Sequence, residues 1–165
     1  MNDSAMVDEL AGASREHEIK ALLKQAKQIA VSYYELTRKP LGVTGEVAEY
    51  EAADKLGLTL EEVRTPSVDA FREEAGIRRH FQIKGRAVNS TDRYRGRVPK
   101  IKDGNFDAVL LVLLDRKTLD AIEIWRADRM RVIARLDAPG GKARNERRSM
   151  GISQFKSIAE RVWPA

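Results

Sequence analysis

The chain has 165 residues and a mass of 18.6 kDa, with 42% hydrophobic residues, 33% charged residues and no cysteine. That length and composition suit one soluble domain with a sizeable core, and the missing cysteine excludes disulfides, thiolate metal sites and a cysteine nucleophile. The longest strongly apolar segment, residues 108–114, is too short to span a bilayer as a helix. The net charge of +5 is uneven: residues 1–77 carry 9 Lys/Arg against 15 Asp/Glu, whereas residues 78–165 carry 21 against 10. The second half therefore presents a field suited to a polyanion, a solvated basic surface being the alternative. The acidic N-terminus lacks the pattern of a signal peptide, so a cytoplasmic location without membrane association is expected.

Residues 1–13 are expected to be flexible, followed by a single domain over 14–165. Ile19, Leu22, Leu23, Ala26, Ile29, Ala30 and Tyr33 recur at helical spacing and predict a helix from Ser14 to about Leu36. Pro40 and Gly42 break it, and Thr44 starts a second helix that runs to about Leu56 before Gly57. Thr59 with Glu62 three residues later reads as a capping box for a short helical turn over 59–64.

From Ser67 the period changes to two. Residues 68–71 and 79–84 predict strands joined by a turn at 73–76. Residues 85–104 hold Gly85, Gly96, Pro99 and Gly104 among polar residues, and predict a long loop that is either mobile or functional. The run 106–114 predicts a central strand buried on both faces. Residues 118–125 and 130–136 predict further strands, and Ser153 caps a last helix through Val162. Helices, then four or five strands, then a helix make a mixed-sheet α/β domain.

Gln82 and Lys84 share one strand face, and a hairpin through 73–76 brings Asp69 beside Gln82. Two oxygen donors next to a lysine suit a hard cation that polarises a phosphodiester, while the lysine orients water or stabilises developing charge. On the second helix, Glu46, Glu49, Ala53 and Leu56 lie on one stripe, so Glu49 can face the metal with Glu46 nearby, unless both acids sit in solvent at the stripe's border. The segment 78–102 holds 9 basic residues and 126–148 holds 8. Arg86, Arg93, Arg95, Arg97, Lys100 and Lys102 can form a phosphate-wrapping loop, with Lys142, Arg144, Arg147 and Arg148 as a second basic edge. His80 and His17 do not suggest a histidine metal cluster. Asp107 reads either as a supporting acid or as a strand-start acid paired with a cation, and Trp125 and Trp163 read as packing anchors.

The pieces GEVAEYEAADKLG at 45–57, SVDAF at 67–71 and FQIKGR at 81–86 together resemble the PD-(D/E)XK nuclease superfamily, across roughly residues 44–125. The resemblance implies a restriction-endonuclease-like fold, a four-stranded mixed sheet flanked by helices, and magnesium-dependent cleavage of double-stranded DNA with Mn2+ as a substitute. It assigns Glu49, Asp69, Gln82 and Lys84 to catalysis and the first three to the metal, to which the helix stripe adds Glu46 as a further candidate ligand. Gln82 stands where Asp or Glu is usual, and its amide oxygen brings no full negative charge. A homodimer is an option, since nucleases that break both strands often present two active sites. Three functions stay open: a DNA endonuclease, a DNA-binding domain of the same fold that does not cut, and a protein-interaction or structural domain.

Overall fold

The computed structural model describes residues 3–89, 91–92 and 95–164. The chain divides into two compact units, Met1–Val43 and Thr44–Ala165. The first is built on α1 (Asp3–Thr37), a single helix that begins at Asp3 and so includes residues expected to be flexible. Among the described residues no helix is long and apolar enough to cross a membrane.

The second unit opens with α2 (Thr44–Leu56) and continues through β1 (Thr59–Thr65), β2 (Val68–Glu74) and β3 (Ile77–Val88). Then come β4 (Ala108–Asp115), β5 (Ala121–Asp128), α3 (Arg129–Asp137), α4 (Lys142–Asn145), α5 (Ile152–Lys156) and β6 (Glu160–Trp163). The six strands form one sheet in chain order, antiparallel throughout except for the parallel pair β3–β4. The result is a mixed α/β sheet flanked by helices.

Ala75 and Gly76, both at positive φ (51° and 76°), make the two-residue turn that joins β2 to β3. Positive φ at both central positions matches the right-handed twist of the strands, which sets the hairpin register Glu74↔Ile77 to Ala70↔Phe81. Every residue of β4 from Ala108 to Leu114 is buried, as expected of a strand covered on both faces. Burial of each of its leucines contributes on the order of 2 kcal/mol. On the Gln82 side of the sheet, Val109, Leu111 and Leu113 join Val98, Ile101, Val132, Leu136, Met150, Ile152 and Phe155 in one core cluster. On the other side, α2 lies against Gly85 through Ala48.

In the connection from β3 to β4, the stretch around Val98 and Ile101 is packed and pinned. Val98 and Ile101 are fully buried, and their N–H groups donate to Met150 O and Arg148 O at 2.9 Å each. Three further expectations are corrected. Residues 59–65 form a strand, because pairing of Thr59 and Leu60 with Phe71 and Ala70 outweighs the local capping-box preference. Residues 129–137 form a helix, with Val132 and Leu136, four apart, buried on its inner side. The last predicted helix is only α5, and the chain then adds β6 as a sixth strand beside β5.

Candidate active site

The pairing of β2 with β3 stops at Ala70↔Phe81, and beyond it the Asp69 side chain replaces a main-chain acceptor: Ile83 N–H donates to Asp69 Oδ2 at 2.7 Å. The carboxylate is thereby aimed into the gap between the two strands. Lys84 follows on β3, half-buried, in the field of Asp69, Lys102 and Glu49. Burial pushes its ammonium below the ordinary lysine value; the Asp69 and Glu49 carboxylates oppose that shift and the Lys102 ammonium adds to it.

The helix that carries Glu49 comes close to β3 because of the residue next to Lys84. A Cβ on Gly85 would stand 2.5 Å from Ala48 Cβ and 2.7 Å from Thr44 O, so only glycine lets α2 lie this close to β3. The buried residues of α2 are Val47, Ala48 and Ala52, one position away from the expected stripe through Glu46, Ala53 and Leu56. Glu49 lies at the border of that packed face, whereas Glu46 is exposed.

Gln82 is brought beside Asp69 but put to another use. Its side chain is 0% exposed. Nε2 donates to Ser67 O at 3.1 Å and Lys102 O at 3.0 Å, and Oε1 accepts from Lys102 N–H at 2.9 Å. The amide pairs with Lys102 as a neighbouring strand would, and it ties the β3–β4 connection to the turn between β1 and β2. Ser67, at φ 68°, closes the same latch by donating from Oγ to Asp103 O at 2.6 Å. Among the described residues Gln82 Oε1 accepts the one hydrogen bond from Lys102 and retains a second lone pair, so the expected metal role would add to that bond inside a buried pocket.

The basic residues also separate by use. Arg86, Lys100, Lys102, Lys142 and Arg147 have no side-chain hydrogen bond or ion pair among the described residues; Arg86, Lys100 and Lys102 follow Lys84 on β3 and its connection, and all five are exposed to solvent. Arg95 is exposed and lies 3.3 Å from Asp92. Arg97 is spent on Ser149, through its hydroxyl at 3.2 Å and its carbonyl oxygen. Arg144 donates to Ala138 O and Pro139 O at 2.8 and 2.6 Å, just past the end of α3. Arg148 bridges Asp137 and Asp103, whose hydrogen bonds hold its guanidinium above the ordinary value against the effect of burial. Arg93 lies outside the described residues.

Asp107 is the paired strand-start acid: it accepts from His80 N–H at 2.8 Å and Arg79 at 3.3 Å. Trp125 packs on the core and donates to Glu123, which is buried with Lys156 at 2.7 Å. Arg79, Arg126, Arg129 and Arg131 line one open cleft; in the sequence they stand only as members of the basic runs 78–102 and 126–148.

Among the described residues no three or more His, Asp or Glu side chains gather as a metal-holding group. Asp69 and Glu49 are the carboxylates whose fields reach Lys84. No protein-family model matches the chain, and no curated protein matches it in sequence.

Proposed function

We propose that the protein is a metal-dependent endonuclease of double-stranded DNA with a restriction-endonuclease-like arrangement. One observation carries this reading: a partly desolvated Lys84 in the field of two carboxylates, from α2 and β2, where β2 parts from β3. Perturbed lysines in such company are more common at reaction centres than on structural surfaces.

Two carboxylates suit Mg2+ or Mn2+, whose remaining positions are filled by water and phosphate oxygens. Asp69 and Glu49 would hold the ion, which when bound polarises the phosphodiester and acidifies water. The chain's own groups do the rest. Asp69 is oriented before substrate arrives, because Ile83 N–H holds one of its oxygens. Lys84 donates to a non-bridging phosphate oxygen as negative charge builds there, which its partly dry surroundings strengthen. Lys100 and Lys102 hold neighbouring phosphates.

A second reading, DNA binding without cleavage, is favoured by the burial of Gln82 and its engagement with Lys102. Nicking of supercoiled plasmid with Mg2+ or Mn2+ separates the two. Lys84→Ala and Asp69→Ala are each expected to lower the rate by about 100-fold or more. Cleavage that survives both substitutions removes the assignment; binding without cleavage under either metal selects the second reading.

A further inference from the structure

An open cleft of about 800 Å³ lies at the end of the sheet where β3 and β4 begin and β5 ends. Four guanidinium groups, from Arg79, Arg126, Arg129 and Arg131, face three carboxylates across it. Two of the four are held in place: Arg79 by Asp107 at 3.3 Å and Arg126 by Glu74 at 3.0 Å. Glu74 also takes Arg72 at 2.6 Å, which adds a fifth cation to the group. Hydrogen bonds from Arg72 and Arg126 outweigh burial and keep the Glu74 carboxyl below its usual value, so it remains charged.

The other two lack a carboxylate among the described residues. Arg129 donates from Nε to Gly104 O at 3.1 Å, and its guanidinium lies 5.7 Å from the Phe106 ring centroid. Arg131 is exposed, and between them Met130 is 83% exposed. Excess positive charge gathered at one mouth repels itself, and a bound anion removes that repulsion.

We propose that this cleft is a second binding site, for a phosphate group of a nucleotide or of a nucleic-acid strand, with Arg129 and Arg131 as its direct contacts. Planar guanidinium forks match phosphate oxygens in pairs, and the Met130 thioether offers an adaptable apolar contact for the base or sugar that accompanies the phosphate. The site is separate from Lys84. Arg79 precedes Lys84 by five residues on β3, about 16 Å along a strand, and its side chain has the opposite parity. The proposal therefore does not depend on whether Lys84 supports cleavage.

The test is calorimetric titration of the full chain with inorganic pyrophosphate at low salt, beside anisotropy with a fluorescein-labelled single-stranded oligonucleotide. Arg129→Ala/Arg131→Ala is expected to weaken pyrophosphate binding by about tenfold or more, since charge-assisted hydrogen bonds are lost. Arg131→Glu, at an exposed position, repeats the loss without disturbing the Arg129 contact to Gly104. If the oligonucleotide weakens in parallel, the source is a strand phosphate; if only pyrophosphate weakens, it is a free one, and either result upholds the site. Pyrophosphate affinity unchanged in both variants, or lost equally in Lys84→Ala, overturns it.

Discussion

Position 82 carries an amide with both ends in use, and that decides what a carboxylate there would do. Gln82→Glu keeps an acceptor for Lys102 N–H but turns a second oxygen toward Ser67 O and Lys102 O, where Nε2 now donates. Two acceptors lose their donor and a charge is buried against them, a loss of roughly 3 kcal/mol or more. Burial raises the pKa of such a glutamate in the fold above its unfolded value, so the penalty is present where the group is ionised. It shrinks as pH falls through the raised value. Urea denaturation should therefore show the variant well below the parent at pH 7.5 and closer to it at pH 5. A variant as stable as the parent at pH 7.5, cutting DNA at lower Mg2+, would mean that position 82 supplies a metal ligand. The faces of Asp69, Gln82 and Lys84 were legible because a strand's period is two and Ala75-Gly76 is a turn. The use of Gln82 was hidden, since its partners lie 15 and 20 residues away in segments with no regular pattern.

Among the elements, α2 and β3 matter most, because their closeness sets where Glu49 stands. Gly85→Ala puts a methyl into Ala48 and the Thr44 carbonyl, neither a flexible tip, so α2 must lift from the sheet. Overpacking of this kind costs about 1–3 kcal/mol. The expected outcome is a lower urea midpoint together with loss of plasmid nicking, whereas Gly45→Ala, in open space on the same helix, leaves both near the parent. Equal nicking in Gly85→Ala and parent would show that Glu49 is not needed where it stands. The span of α2, from Thr44 to Leu56, was legible, since a capping residue and a glycine bracket it, but its buried face was not. β1 and α3 were not. Thr59-x-x-Glu62 imitates a helix start, and the decisive pairing with β2 is tertiary. Val132-Ile133 favours a strand locally, while the four-residue spacing of Val132 and Leu136 was the helical signal.

For the molecule as a whole, the basic second half suggested a wide nucleic-acid surface, and several of its cations are already engaged within the protein. Of the candidate cations, Arg97, Arg144 and Arg148 already serve protein acceptors, and a phosphate could recruit them only by breaking those bonds. Arg86, Lys100, Lys102, Lys142 and Arg147 remain without such partners among the described residues, so charge counting in the sequence overstates the available contacts. Each phosphate neutralised on duplex DNA steepens the fall of log affinity with log salt by about 0.9, which bounds the slope near −4 to −5 for these five. Anisotropy with a labelled duplex between 50 and 300 mM salt, ranges of the order used for such slopes, reads this directly. Lys100→Ala/Lys102→Ala should flatten the slope by about 2 while leaving stability unchanged, because both side chains are exposed. Arg148→Ala should do the reverse: it frees Asp137 and Asp103 and lowers the urea midpoint, with the slope retained. A slope that flattens in Arg148→Ala but not in the double lysine variant would place the duplex on the wrong edge of the molecule for Lys84 to reach it.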